Sequence, residues 1–185
     1  MLRRIRLRAL LKWGSVVALA GFLLIQAFPY GHGHSNPAFH SEPPWDSPRT
    51  RELVVDACYD CHSNLTKWPW YSYVAPVSWL VQRDVYNGRE ELNFSEWQQI
   101  EKKRREKAAR EEAKEKEGKE RRERIDSLLK VVLNGEMPLW FYPLLHPDAR
   151  LSATEKEELA GGLARTFGLP LPAVEGGWEN EGDDD

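Results

Sequence analysis

The sequence predicts an all-α fold. Apolar residues recur three and four positions apart in several segments, for example at Leu53, Val54 and Ala57, and this spacing places them on one face of a helix. Capping residues precede such segments, and glycine or Asn-Gly follows them, as at the ends of helices. No segment alternates apolar and polar residues as a half-buried strand does.

The chain begins with a basic stretch followed by an apolar run, which extends from Trp13 to Phe28. Five basic residues and no acidic one precede the run: Arg3, Arg4, Arg6, Arg8 and Lys12. This order keeps the N-terminus in the cytoplasm and directs the following chain across the membrane. We expect residues 1–28 to be an uncleaved signal-anchor, with a cleaved signal as the alternative, because the small residues of a cleavage site are poorly placed at residues 25–27.

Residues 29–45 are rich in proline, glycine, histidine and serine and predict a linker. His32, His34 and His40 lie in it. We expect these histidines to be solvated, because no rigid element fixes their spacing for a metal ion.

Both cysteines of the chain stand in the motif Cys58-Tyr59-Asp60-Cys61-His62. C-x-x-C-H is the signature of covalent c-type haem attachment, in which each thiol forms a thioether and the histidine binds the iron. Two alternatives are weaker. A zinc site would need His40 or His146 without a second close ligand pair, and a thioredoxin-like dithiol lacks a βαβ unit. The motif therefore predicts one haem c, attached outside the cytoplasm.

Helices are predicted on both sides of the motif. Ser47-Pro48 begins a helix that runs into it, with serine as the N-cap. The aromatic and proline-broken residues 68–73 predict a compact loop. Pro76 begins the next helix, and Asn87-Gly88 is expected to end it.

A long charged helix is predicted from Trp97 to Leu133, after a capping-box-like start at residues 93–96. Acidic residues stand four positions before basic ones along it, an arrangement that stabilises a helix by about 0.3–0.5 kcal/mol per pair. Because acids and bases balance, we expect a solvated extension that suits a protein partner and does not bind nucleic acid. Only its last turns carry a core stripe, formed by Ile125, Leu128, Leu129, Val132 and Leu133.

The last helix is predicted from the capping box Ser152-x-x-Glu155 to Phe167, before Gly168. Residues 169–185 are expected to be an acidic, disordered tail, because they end Glu181-Gly182-Asp183-Asp184-Asp185. The formal net charge of the chain, −3, is too near zero to indicate a class of partner.

A second axial ligand for the iron is predicted at Met137, the one methionine besides the initiator. Pro138 restrains the residue before it, which suits a fixed ligand. A thioether raises the reduction potential relative to a second histidine, because it favours ferrous iron. His146 is the competing ligand and His40 a weaker one, while a plain core methionine is the other interpretation of Met137.

Aromatic residues follow each predicted ligand motif and suit a haem pocket, because their rings cover a flat apolar group and their N–H and O–H groups bond propionates. The candidates for this lining are Trp68, Trp70, Tyr71, Tyr73, Trp79, Trp140, Phe141 and Tyr142. Arg83 and Lys67 are candidates to pair with a propionate, although a surface position is the favoured interpretation of both.

With these residues, the chain resembles the haem-binding-domain family of exported, membrane-anchored bacterial c-type cytochromes. The resemblance covers most of residues 43–168 and is carried by residues 45–48, 57–64, 66–72, 74–80, 92–97, 135–138 and 144–147. It implies a cytochrome c-like helical haem domain at residues 46–168, with Cys58 and Cys61 as attachment points, His62 as proximal ligand and Met137 as distal ligand. Residues 98–124 depart from the family pattern and are interpreted as an inserted charged helix.

These observations predict a monohaem c-type cytochrome that transfers one electron on the periplasmic side of the cytoplasmic membrane. Its expected partners are the membrane, through the N-terminal helix, and redox proteins. No nucleophile–base pair is recognisable, so we do not expect an enzyme. A haem-based gas or redox sensor, a weak peroxidase and a structural haem scaffold remain as alternatives.

Overall fold

The computed structural model describes residues 2–108 and 111–169, so the predicted acidic tail lies outside the described residues except for Leu169. The described part of the chain is helical and contains one isolated parallel bridge, between Ser41 and Glu96, and no named strand. The all-α prediction is confirmed. The helices are α1 (Leu2–Gln26), α2 (Pro48–Ala57), α3 (Tyr59–His62), α4 (Val77–Glu91), α5 (Trp97–Ala108), α6 (Glu111–Leu133), α7 (Tyr142–Leu145) and α8 (Ala153–Phe167), with 3₁₀ turns at Trp70–Tyr73 and Pro147–Ala149.

The chain forms two compact units. The first comprises the described residues up to His40 together with Tyr59–Ser95. The second comprises Ser41–Cys58 and the described residues from Glu96 onward. The division falls between Cys58 and Tyr59, inside the haem motif.

An apolar core holds the second unit together, where α8 packs against α2 and α6. The predicted stripe on α6 is confirmed in its main members, because Ile125, Leu129 and Val132 are buried. The predicted caps are also present. Ser47 Oγ accepts the Thr50 N–H at 3.1 Å, and Ser152 with Glu155 forms a complete capping box at the start of α8.

In the first unit α4 packs against α3 and against the 3₁₀ turn at Trp70–Tyr73. The prediction that Asn87-Gly88 ends α4 is wrong, because the helix continues to Glu91 and the Leu92 N–H bonds the Gly88 carbonyl at 2.9 Å. A Cβ at Gly88 would lie only 2.5 Å from the carbonyl oxygen of Cys61. This glycine therefore permits the close approach of two helices and does not terminate one.

The start of α5 also differs from the prediction. A capping-box-like start is predicted at residues 93–96, but Asn93 Oδ1 accepts the N–H of Ser95 at 3.0 Å, and the helix begins only at Trp97. Instead, Ser41 Oγ accepts the N–H of Gln98 at 2.8 Å. A serine distant in sequence satisfies the same orphan donor that a local cap would satisfy.

The charged segment predicted as one helix is described as α5 and α6, on either side of residues 109 and 110. Three ion pairs in the described residues join side chains four positions apart at 3.8–4.0 Å with the base before the acid: Lys102 to Glu106, Lys116 to Glu120 and Lys119 to Glu123. Most of the predicted acid-before-base pairs involve a side chain outside the described residues, so their orientation stays a prediction. Exposed pairs of this kind contribute little to the stability of a helix.

The basic stretch and the apolar run form one helix, α1. No helix in the described residues is long and apolar enough to cross a membrane, so the predicted transmembrane signal-anchor at residues 1–28 is not supported there.

The segment predicted as a linker packs within the first unit, where residues 31–38 contact residues 59–95. The ring of His34 packs against Trp68 and Tyr73, with centroid distances of 4.5 and 4.1 Å, and its Nε2 lies 2.9 Å from the Ser72 carbonyl oxygen. His34 is therefore not the solvated residue that the sequence predicts. Periodicity does not reveal this contact, because an extended segment gains its partners only in the folded chain.

Candidate functional site

The haem motif lies at the junction of α2 and the one-turn helix α3. Ser47 begins α2, and the helix ends when Cys58 leaves helical geometry, with its N–H bonded to the Val54 carbonyl at 2.9 Å. Helix α3 then carries Cys61 and His62. Both cysteines are half-buried thiols.

The imidazole of His62 is oriented by a backbone carbonyl. Its Nδ1 lies 3.1 Å from the carbonyl oxygen of Leu92, which can only accept, so Nδ1 carries the proton and Nε2 keeps a lone pair. Burial lowers the pKa of His62, against the opposing effect of backbone bonds at Leu92 and Gly88. The ring is therefore neutral near pH 7. A neutral histidine whose second nitrogen is fixed by an outer partner is the form that ligates a metal.

The thiol of Cys61 is kept protonated. Burial, with a further contribution from the carboxylates of Asp60 and Asp84, raises its pKa to about 12, and the charge of Arg89 opposes this rise. A dithiol oxidoreductase needs a cysteine with a lowered pKa, so this environment argues against the thioredoxin-like alternative. The described residues contain no group of three or more His, Cys, Asp or Glu side chains that could hold a metal ion.

Phe94, which follows the end of α4, packs against the motif. It is 2 % exposed, its ring stacks on Tyr59 at 5.9 Å, and its N–H bonds the His62 carbonyl at 2.8 Å. The segment that follows α4 therefore contacts the motif through a side chain and through two backbone groups, one at Phe94 and one at Leu92.

An exposed apolar surface lies beside Cys61 in the first unit. Val77, Leu80 and Gly88 lie on one face of α4, because they stand three and eight positions apart, and this face approaches Cys61 at Gly88. The side chains of Val77 and Leu80 are exposed, and Trp70 is 77 % exposed. Burial, Asp60 and Cys61 raise the pKa of Tyr71, so its phenol also belongs to these surroundings. Two thiols, a neutral imidazole and exposed apolar side chains together fit a haem.

The family model of the haem-binding domain matches residues 20–117 and 109–165 of the chain. The chain belongs to the haem-binding domain family. The first matched segment contains the Cys58–His62 motif, and the second contains Met137. The two segments overlap inside the predicted insertion at residues 98–124. No curated protein and no solved structure matches this chain.

Two of the tryptophans predicted to line the haem pocket contact the segment at residues 28–36, and their role as pocket lining stays a prediction. The ring of Trp68 lies on His34, and its Nε1 donates to Asn36 at 3.1 Å. Trp79 packs edge to face against Phe28 and is nine residues, about two and a half helical turns, from Gly88, which places it on the opposite side of α4. Its Nε1 is buried without a partner in the described residues.

The predicted distal ligand lies in the second unit of this haem-binding domain. Met137 follows the end of α6, where its N–H bonds the Val131 carbonyl at 3.1 Å, and it is half-buried. The peptide bond between Met137 and Pro138 is cis. A half-exposed position differs from that of a core methionine, which would be buried. Ligation of iron by Met137 stays a prediction.

An exposed apolar surface also follows Met137. Trp140 is 79 % exposed, and its neighbours Phe141, Leu144 and Leu145 are exposed as well. The competing ligand His146 stacks flat on Tyr142, with a centroid distance of 4.0 Å and an interplanar angle of 8°. The rival His40 is exposed.

Sequence reasoning missed three residues of the site: Gly88, Arg89 and Leu92. Gly88 was interpreted as a helix end, and nothing local distinguishes a C-terminal glycine from one that touches another helix. Leu92 acts through its carbonyl, which carries no sequence information. Arg89 is one of several charged residues on α4.

Proposed function

We propose that the protein is a monohaem c-type cytochrome that carries single electrons. The observation that supports this most directly is the pairing of two motif thiols with an imidazole whose Nδ1–H is held by the Leu92 carbonyl. Bound haem supplies an Fe(III)/Fe(II) couple. In this proposal, residues of the chain attach the haem, orient it and shield it from water.

Cys58 and Cys61 are the attachment residues in this proposal. Each S–H adds across a vinyl C=C of the porphyrin, with the sulfur bonding to one carbon and the hydrogen to the other, so the addition changes no overall oxidation state. His62 presents the lone pair of Nε2 to the iron from the side of α3. Because Cys61 is half-buried and protonated, its thiol is unreactive, which suits a cysteine that reacts only when a maturation system supplies haem.

Met137 is the distal ligand in this proposal, and the exposed aromatic and aliphatic residues beside each ligand are the apolar lining. Support comes from the uncovered side chains near Cys61 and after Met137, since large exposed apolar patches mark a binding surface. With two protein ligands the iron has no open position, which favours electron transfer over peroxidase activity or gas sensing.

We further propose that the domain is tethered to the cytoplasmic membrane and faces the periplasm, where it meets redox proteins. The basic residues ahead of Trp13 support the orientation. The apolar side chains from Leu10 to Leu24, which are exposed along α1, support an association with lipid.

Expression of the full chain with a cytochrome c maturation system tests the proposal. We expect an intact mass increased by one haem, a pyridine haemochrome spectrum of the thioether type and a reversible one-electron titration. The Cys58→Ala/Cys61→Ala protein is the control and should lack the added mass. Bare polypeptide with two alkylatable thiols from the wild-type gene contradicts covalent haem.

The distal ligand is tested by comparing Met137→Ala with His146→Ala. We expect the far-red charge-transfer band of a thioether-ligated ferric haem to disappear in Met137→Ala, with a lowered reduction potential, and to persist in His146→Ala. The opposite result would assign the distal position to His146. Prompt binding of CO to the wild-type ferrous protein would favour the gas sensor.

A further inference from the structure

Arg89 bonds the backbone that directly follows the proximal histidine. It stands on α4 next to Gly88, and its Nε donates to the Ser63 carbonyl at 2.8 Å. Its Nη2 donates to the Thr66 hydroxyl, also at 2.8 Å. The Thr66 hydroxyl in turn donates to the Asp60 carbonyl at 2.8 Å, so the contact returns to the motif itself. One side chain thus fixes the chain on both sides of His62.

The same guanidinium binds the segment predicted as a linker. Its Nη1 donates to the Ser35 carbonyl at 2.8 Å, and its Nη2 donates to Asn36 Oδ1 at 3.0 Å. Asn36 also donates to the Thr66 carbonyl at 2.9 Å. Four acceptors therefore surround one planar donor group, which is the arrangement that arginine supports and lysine cannot reproduce.

Arg89 is also a fixed charge near the attachment cysteine. It directly follows Gly88, where an added Cβ would lie only 2.5 Å from the Cys61 carbonyl oxygen, and its Nε bonds the carbonyl of Ser63, two residues after Cys61. Burial lowers the pKa of Arg89, so water screens this cation only in part. The guanidinium stays charged at every physiological pH.

We propose that Arg89 is a positioning residue of the haem motif and that its charge raises the reduction potential of the attached haem. The inference rests on the proposed function. Ferric haem carries one more positive charge than ferrous haem, so a nearby fixed cation favours the ferrous state. The four hydrogen bonds hold the Ser63 backbone, and with it His62, against α4 and residues 35–36.

Charge and geometry are separable with two substitutions in the full chain matured with haem. Arg89→Gln removes both the positive charge and the planar guanidinium with its hydrogen bonds. Arg89→Lys keeps the charge and removes the planar guanidinium. Arg83→Gln is the matched control, because it removes the same charge from the same helix and its guanidinium bonds the adjacent Asp84. The measurements are the reduction potential and the rate of chymotrypsin cleavage after Tyr30 and Phe39.

We expect Arg89→Gln to lower the potential by more than Arg83→Gln does and to be cleaved faster than wild type. Arg89→Lys should keep a potential near that of wild type and still be cleaved faster. Equal shifts in Arg89→Gln and Arg83→Gln would overturn the charge assignment, and wild-type cleavage in both Arg89 variants would overturn the positioning role. If Arg89→Gln takes up no haem, the test rests on Arg89→Lys. A reduction potential equal to that of wild type, together with faster chymotrypsin cleavage, would support the inference. Any other combination of the two measurements would overturn it. Failure of the proposed function is separate, since wild type would then lack covalent haem.

Discussion

The buried residues of the second unit are mostly apolar, whereas many of those in the first unit are polar. Helices α2, α6 and α8 meet around Val54, Leu129, Leu159 and Leu163, each almost fully buried. The first unit buries few large apolar side chains, and its fully buried residues include several serines and Asn64. Apolar burial stabilises a fold by about 25 cal/mol per Å², and a buried hydrogen bond contributes about 1 kcal/mol net. The first unit, which contains Cys61 and His62, is therefore the one that an added apolar group would stabilise more.

The exposed side chains lead to the same conclusion. Trp70, Tyr73, Val77 and Leu80 lie on the surface of the first unit. A haem that covers these side chains would add their apolar surface to the small apolar core of the first unit. In this respect the cofactor of the proposed cytochrome is also a structural element of the first unit.

Removal of the haem is the strongest test of this comparison. We expect the Cys58→Ala/Cys61→Ala protein to lose roughly tenfold or more of the hydrogen-exchange protection of α4, because the first unit loses its apolar partner. Protection in α6 from Ile125 to Leu133 should change little. Exchange measured by mass spectrometry on matured wild type and on the variant checks this, and an equal loss in both helices would contradict it.

Leu129→Ala tests the apolar core of the second unit. This side chain is fully buried, so its truncation should cost about 2–5 kcal/mol in the free energy of unfolding. Leu128→Ala is the matched control and should cost less, because Leu128 is only half-buried. Denaturant unfolding followed at α-helical ellipticity measures both. Similar losses for the two leucines would argue against a single stripe on α6.

Gly88→Ala tests the contact between α4 and the motif. The added Cβ would meet the Cys61 carbonyl, so we expect a destabilisation of about 1–3 kcal/mol and a lower haem-loaded fraction. Gly118→Ala is the control, because a Cβ added there would meet no atom of the described residues within 4 Å outside its own helix backbone. It should stabilise the helix by about 0.5–1 kcal/mol. Thermal melts and the ratio of haem to protein absorbance check both variants, and a stabilised Gly88→Ala protein would refute the close approach.

The smallest expected effect concerns Asp46, whose carboxylate lies 2.7 Å from Arg165 in the second unit. Burial raises its pKa, but hydrogen bonds from Thr50, Arg165 and Thr166 and the charge of Arg165 outweigh that and lower it below 3.8. A carboxyl with a depressed folded pKa adds stability above its unfolded pKa and loses it as the pH falls through the folded value. Asp46→Asn should therefore cost about 1 kcal/mol or less at pH 7 and progressively less as the pH is lowered toward 2, as measured by denaturant titrations. A constant cost at both pH values would contradict the ionic origin.

Prediction from sequence succeeded where the information is local. The caps at Ser47 and Ser152, the stripe on α6 and the start of α4 after Pro76 were all predicted, because each depends on residues within one or two turns. It failed at Gly88, at His34 and at the cap of α5, where the partners are Cys61, Trp68 and, for the Gln98 N–H, Ser41. Each of those contacts joins residues 27 to 57 positions apart, and no local pattern encodes such a pairing.

By itself, the sequence determined the chemistry of this protein: two thiols and an imidazole at the spacing of a haem motif, on an all-α chain. It could do so because covalent attachment needs particular residue types at fixed separations. Only the tertiary structure decided which groups orient them. The Leu92 carbonyl, the bare backbone of Gly88 and the guanidinium of Arg89 act through position alone, and position is set by how α4 packs against α3.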